Sequence, residues 1–232
     1  MDVLIATPTA REANAIRGRS RVIVTGTSEA AEELRHAVHE ARPGVVVIAG
    51  YCGALDPSLK PGAIVVSRMA AAPGSPELLP EKGLVDAVRD EFHRRKTTFV
   101  YSRLLSLDHA AASKPEKLAL WNEFGAAGVD METYALAEAA EAAGLPWIGV
   151  RVVVDAANQA LPASLNGWSE DGDEREALKH AAKRPFEWAS YGRLGLAYRS
   201  ASKALPRAVA IVRAAAQQPW ERDLDLPMID AS

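Results

Sequence analysis

The segment "VDMETYAL" (129–136) sets two acids, Asp130 and Glu132, around Met131 at the start of a stretch that is otherwise mostly alanine. Two more acids stand at comparable junctions. Asp155 directly follows the apolar run IGVRVVV, and Glu12 lies just past the first apolar segment, in "TPTAREANAI". Carboxylates in such places either serve the backbone or do chemistry. As helix caps they accept N–H bonds and suit the positive end of the macrodipole. As reacting groups they steady positive charge or move a proton. The choice turns on whether the elements that carry them bring them together.

Those elements are legible as alternating strands and helices. Val3–Ala6, Val22–Thr25, Ala63–Ser67, Thr98–Leu105 and Ile148–Val154 read as strands, and Val45–Ala49 as a strand covered on both faces. Thr27 or Ser28 can cap a helix whose Leu34, Ala37, Val38 and Ala41 form one stripe, ended by Pro43-Gly44. Leu84–Arg94, Lys117–Phe124 and Asp130–Ala143 read as further helices, the last closed by Gly144 with Pro146 beyond. Gly50 and Gly53 are read as a tight loop, 70–81 as loop, and 161–174 as a long polar loop. The rest is read as helical to about Ala216, broken or kinked at Pro206. The expected fold is a single α/β domain with a central, mostly parallel, twisted mixed sheet flanked by helices. Residues 1–160 would form its catalytic core, and 161–232 a loop and C-terminal helices packed on the same domain.

In such sheets ligands sit at the carboxyl ends of the strands. The Gly50–Gly53 stretch, Asp155 and Glu12 all follow such ends. A helix of a dozen residues covers about 18 Å and the next strand about 23 Å, which returns the helix start and the strand end to one side. All four features are therefore expected on one rim.

Composition narrows the classes. Apolar residues make up 48% of 232, enough for a sizeable core, and the formal net charge of −3 provides no field for nucleic acid. Cys52 is the single cysteine, which leaves no internal disulfide and no thiolate-rich metal site. Without a nearby His, and in a glycine-rich surrounding, it reads as structural rather than nucleophilic. The amino terminus does not read as a signal peptide, and the longest apolar-and-glycine run, VVVIAGYCGAL, is short of the roughly 18 residues of a membrane span. The expected location is the cytoplasm. No G-x-G-x-x-G follows the first strand, which speaks against a dinucleotide oxidoreductase.

"AGYCGALDPSLKPGAIVVS" (49–67), "VDMETYALAEAA" (129–140) and "VRVVVDAANQALP" (150–162) together resemble the three signatures of the purine nucleoside phosphorylase and methylthioadenosine nucleosidase superfamily, in the family's order. The resemblance implies cleavage of a ribose–purine bond. Glu132 is similar to the family's ribose-binding glutamate, Met131 would pack on the sugar, and Asp155 matches the aspartate that supports protonation of the purine at N7. Such an acid should have a raised pKa, here through desolvation beyond an apolar strand. Glu12 resembles the acid that activates water in the hydrolytic branch; an exposed acid in a helix's first turn is the equal alternative. Gly50, Tyr51, Cys52 and Gly53 fall in the glycine motif, and Asp130 opens the sugar-binding one. Asp108 lies where the family wraps backbone around the base, but the stacking aromatic is missing there; Phe99, Tyr101 or Trp121 could supply it. Tyr51 stands at the position of the phosphorylases' phosphate-binding serine, and their Gly-Asp-Pro loop is absent. These departures favour water over phosphate, although Arg11 could contribute to an anion site. No cofactor is expected, and inorganic phosphate stays open as a co-substrate. A non-catalytic nucleoside-binding protein is the alternative of another class, and the pairing of Glu132 with Asp155 speaks against it.

"LPASLNGWSEDGD" and "AAKRPFEWASYGRLGLAYRSASKAL" resemble the tail of the hopanoid-associated phosphorylases. That resemblance implies adenosylhopane as substrate, with release of adenine. Methylthioadenosine/adenosylhomocysteine nucleosidases and futalosine hydrolases share the site and take small polar substrates instead. Between Trp188 and Trp220 there is no acid, while Arg193, Arg199, Lys203, Arg207 and Arg213 alternate with apolar residues. Such a basic amphipathic helix suits a membrane surface, or is an ordinary helix with a solvated basic face. The superfamily resemblance also implies a dimer or larger assembly.

Overall fold

A computed structural model describes residues 1–16, 21–25, 29–161 and 188–221. Its strands are β1 (Val3–Thr7), β2 (Arg21–Val24), β3 (Val45–Ala54), β4 (Ile64–Ala71), β5 (Val100–Ser106), β6 (Gly128–Asp130) and β7 (Trp147–Asp155). The helices are α1 (Ala10–Ala15), α2 (Ala30–Ala41), α3 (Lys82–Arg94), α4 (Lys114–Phe124), α5 (Thr133–Ala142) and α6 (Trp188–Gln217).

The strands make one mixed sheet in the order β2-β1-β3-β6-β5-β4-β7, and β7 pairs in addition with β3. Five strands thus close into a ring, while β1 and β2 extend it as an open wing. Pairing is parallel except for β3 with β6 and β4 with β7. The expected α/β domain with a mostly parallel, helix-flanked sheet is the fold observed.

Period-2 alternation decides which residues face which layer. Val45, Val47, Ala49 and Tyr51 of β3 join Ile148, Val150 and Val152 of β7 under α3 and α6. On the opposite face Leu4, Val46, Ile48 and Trp147 lie under α2 and α5. Further along that second face the same alternation places Gly50 and Cys52 on β3 and Arg151 and Val153 on β7, before a register shift sets Asp155 opposite Gly53.

Three readings need correction. Gly50–Gly53 is not a loop but part of β3, because β7 on one side and β6 on the other take up its backbone groups. The helix does not start at Asp130: residues 128–130 form the short strand β6 between β3 and β5, and α5 begins at Thr133. Here pairing on both sides outweighs the local helical signal. Pro206 does not break α6, which continues through it. Thr27, Ser28 and residues 162–174 of the polar loop lie outside the described residues.

Candidate active site

Because β1, β3 and β7 run parallel, their carboxyl ends share one edge of the sheet. Gly53 pairs with Val129 of β6 across one side and with Asp155 of β7 across the other. That register brings the β6–α5 junction, the glycine motif and the end of β7 into adjacent rows.

Glu12 arrives through the first turn of α1. Thr9 and Glu12 form a capping box: the Glu12 N–H donates to Thr9 Oγ1 at 3.2 Å, and Thr9 N–H donates to Glu12 Oε2 at 3.0 Å. The Thr9 hydroxyl donates to the same Oε2 at 2.8 Å, and Tyr51 N–H donates to Oε1 at 2.6 Å. Glu12 is buried rather than exposed, although it also serves its helix. Burial raises its pKa, against Arg151 and these hydrogen bonds, which lower it.

Arg151 is the hub. It is 0% exposed in the middle of β7. Its Nε donates to Thr133 Oγ1 at 2.8 Å and lies 2.9 Å from Asp130 Oδ2. Nη1 reaches the Tyr51 carbonyl at 3.4 Å, and Nη2 stands 3.7 Å from Glu132 Oε2. Burial works against the guanidinium charge, yet Asp130, Glu132 and Glu12 together raise its pKa. A Cβ on Gly50 would land on both Arg151 Nη1 and Glu12 Oε1, so that glycine is what lets the two groups meet over the strand.

Asp130 is spent on structure. Its Oδ1 accepts from Ser106 Oγ at 2.7 Å and from the N–H groups of Glu132 and Thr133 at 3.2 and 3.0 Å; its Oδ2 takes the Thr133 hydroxyl and Arg151. It is not the N-cap, a position held by Glu132, but it accepts the N–H groups at the entry to α5. Glu132, the next acid, is 3% exposed with its carboxylate turned toward Arg151. Met131 is half-buried at the same turn.

Asp155 ends β7 four residues after Arg151, where a register shift sets it opposite Gly53. Its carboxyl lies over Gly53, where an added Cβ would stand 3.1 Å from Oδ2 and 3.3 Å from Oδ1. Its partner is Lys117 of α4, which is 0% exposed and donates to Asp155 Oδ2, to the Ala156 carbonyl at 3.2 Å and to the Gln159 carbonyl at 2.9 Å. Burial raises the Asp155 pKa, and Lys117 pulls it back down. Cys52 is buried between the two groups of charges, its thiol pushed up by burial first and then by Asp130 and Asp155.

Other expected site residues fall elsewhere. The Tyr51 side chain faces the opposite layer, edge-on to Tyr198 at 5.1 Å, with Arg11 above the Tyr198 ring at 5.0 Å. Burial lifts the Tyr51 phenol to about 12. Only the backbone of Tyr51 joins the cluster. The Asp108 side chain is 96% exposed and pairs with His109. Its neighbour Leu107 nevertheless ties to the cluster, donating to the Asp130 carbonyl at 2.9 Å. Phe99 stacks on Phe92, Tyr101 lies under Arg89, and Trp121 packs beside the Leu55, Leu105 and Leu107 group. Two principal members were not singled out from sequence. Arg151 had a signal, a lone charge inside VRVVVD that burial obliges to find partners; Lys117, on a short helix of mixed character, had none.

A model of the phosphorylase superfamily matches residues 11–186, more than half of the chain, and the protein belongs to that family. Its backbone is similar to futalosine hydrolase of Helicobacter pylori, with 13% identity, 91% of this chain and 97% of that one covered, and a TM-score of 0.70. It is similar to 5′-methylthioadenosine/S-adenosylhomocysteine nucleosidase from Neisseria meningitidis in complex with methylthio-immucillin-A, with 15% identity, the same coverage and a TM-score of 0.70. The corresponding nucleosidase from Colwellia psychrerythraea, in complex with adenine, matches at 17% identity with 93% and 95% covered and a TM-score of 0.69. Among curated proteins no sequence matches.

Proposed function

We propose that the protein releases adenine from an adenosyl compound by cleaving its N-glycosidic bond with water, and that adenosylhopane is the compound it serves. Family membership makes it an enzyme of the nucleoside phosphorylase and nucleosidase kind. The observation that carries the reading is the convergence of Glu12 and Glu132 on buried Arg151, with Asp155 at the carboxyl end of the same strand.

As the C1′–N9 bond breaks, its electron pair leaves with the base and positive charge grows on the ribose. Glu132 is set to accept the sugar hydroxyls and to offset that charge. Asp155, whose pKa burial raises against the pull of Lys117, would deliver a proton to the base at N7. Among the described residues Arg151 Nη2 is buried without a hydrogen-bond acceptor, and the 3.7 Å to Glu132 Oε2 is too long for a direct bond. Glu12, buried beside Arg151 over Gly50, would take the proton of the attacking water.

Charge balance favours water over phosphate. Among the described residues three carboxylates share Arg151, which leaves no surplus positive charge there for a dianion. Arg11 lies over the Tyr198 ring in the opposite layer. The adenosylhopane assignment draws on the resemblance of the tail, part of which is α6. Small 5′-thioadenosines or futalosine are the second reading, favoured by the backbone likeness over nine-tenths of the chain.

The test is to incubate the protein with an adenosyl lipid and with 5′-methylthioadenosine, each with and without phosphate, and to measure free adenine. Phosphate-independent release, faster from the lipid, is expected. Asp155→Asn should lower turnover by about 100-fold or more, the scale of general acid catalysis, while substrate still binds. Glu132→Gln should weaken binding and turnover together. Full activity in Asp155→Asn would show that the acid is another residue.

A further inference from the structure

A lysine at zero exposure needs a reason, since methionine would fill the same space without a charge to desolvate. Lys117 sits on α4, whose first turn is fixed by a Ser113–Glu116 capping box, and its chain crosses to the end of β7. There it meets three acceptors, Asp155 Oδ2 and the Ala156 and Gln159 carbonyls, which match the three N–H groups of an ammonium. The same geometry also suits the neutral amine. Two N–H groups would keep the two carbonyls, and the lone pair would accept from a protonated Asp155. Both states are satisfied without moving an atom other than hydrogen.

Resting on the nucleosidase reading above, we propose that Lys117 is a positioning residue that shares one proton with Asp155, so that the acid facing the departing base is the pair and not the aspartate alone. Before the reaction the pair holds a single proton and is neutral overall. When C1′–N9 breaks and its electrons enter the imidazole ring, Asp155 gives that proton to N7. The base leaves neutral, and the pair is left as carboxylate and amine. Water adds to C1′ and loses a proton, and the pair recovers one from solvent once the base has gone. Among the described residues the groups around the carboxyl are Lys117 from α4, the Cys52 thiol from β3, and beyond it Asp130 and Arg151. Glu116, beside Lys117 in sequence, turns outward to His109 and the cap.

The test needs no activity for its first part. With ¹³C in Asp carboxyls and ¹⁵N in Lys side chains, Asp155→Asn identifies the Asp155 signal and Lys117→Arg the Lys117 signal. In the wild-type chain the two should titrate with common midpoints, as a shared proton demands. Separate midpoints overturn the proposal. In Lys117→Met the Asp155 midpoint should rise by about one to three pH units, the loss of an adjacent cation; an unchanged midpoint also overturns it. The second part measures adenine release from 5′-methylthioadenosine. Lys117→Met should lower kcat by about 100-fold or more with KM nearly constant. Lys117→Arg keeps the charge but cannot give up its proton, so it should leave the Asp155 midpoint in place and still not restore kcat. Full rescue by arginine would reduce Lys117 to a fixed charge and end the proton-sharing idea. A wild-type protein that releases no adenine from any nucleoside would instead remove the nucleosidase reading, and the titration would still decide whether the pair exists.

Discussion

Arg151 holds the candidate site's charges in balance. Three carboxylates, from α1, β6 and the turn into α5, face one guanidinium that water does not reach. Removing it would leave Asp130, Glu132 and Glu12 buried together without a cation. Breaking a buried pair from one side costs about 3–5 kcal/mol, several times the roughly 1 kcal/mol of a lost helix cap. Arg151→Met is therefore expected to lose about 3–5 kcal/mol of unfolding free energy by urea titration. A loss no larger than a cap would mean that the hydrogen bonds to Asp130, from Ser106, Thr133 and two backbone N–H groups, carry the cluster by themselves.

At the scale of elements, β3 determines whether these side chains meet. Its two glycines are not turn residues; they are the places where side chains from neighbouring elements cross the strand. At Gly50 an added methyl would collide with the charged ends of Arg151 and Glu12, whereas at Gly53 the Asp155 oxygens would have to yield only a few tenths of an ångström. Gly50→Ala is expected to cost about 1–3 kcal/mol, as overpacking does, and Gly53→Ala distinctly less. Thermal unfolding of the two variants measures this, and equal losses would mean the Gly50 crossing is not tight. The same strand shows what sequence could reveal. The unbroken run Val45–Ala49 marked a strand buried on both faces, and the carboxyl-end rule placed Glu12, Glu132 and Asp155 on one edge. The continuation through Gly50–Ala54 was hidden, because glycine reads locally as a turn and only the partners β6 and β7 make it a strand. Strand β6 was hidden for the same reason: three residues have no period of their own. Lys117 and Arg151 belong to contacts far apart in sequence, and only Arg151 left a local trace.

At the scale of the molecule, α6 does two jobs along its length. From Ala201 onward its apolar side is core: Leu205, Val209, Ile211 and Val212 are almost wholly buried against α3 and the sheet. At about 1.5–3 kcal/mol each as an upper estimate, these four are comparable to the 5–15 kcal/mol that stabilises a domain. Deleting the tail would therefore unfold the protein before it reported on any membrane, and no described helix is long and apolar enough to cross one. The earlier part of α6 is different. Leu196 is 65% exposed, and Arg199 and Lys203 are exposed beside it. If the substrate is lipid-linked, this short basic and apolar stretch is where the protein would rest on an anionic surface. At about 1 kcal/mol for each basic residue near such a surface, Leu196→Asp with Arg199→Glu and Lys203→Glu should abolish flotation with phosphatidylserine vesicles. Adenine release from soluble 5′-methylthioadenosine should not change, since none of the three touches the buried cluster. Equal flotation of the triple variant and the wild type, or none by either, would leave α6 as a core helix with a solvated basic end, and the lipid-linked substrate would lose its physical support.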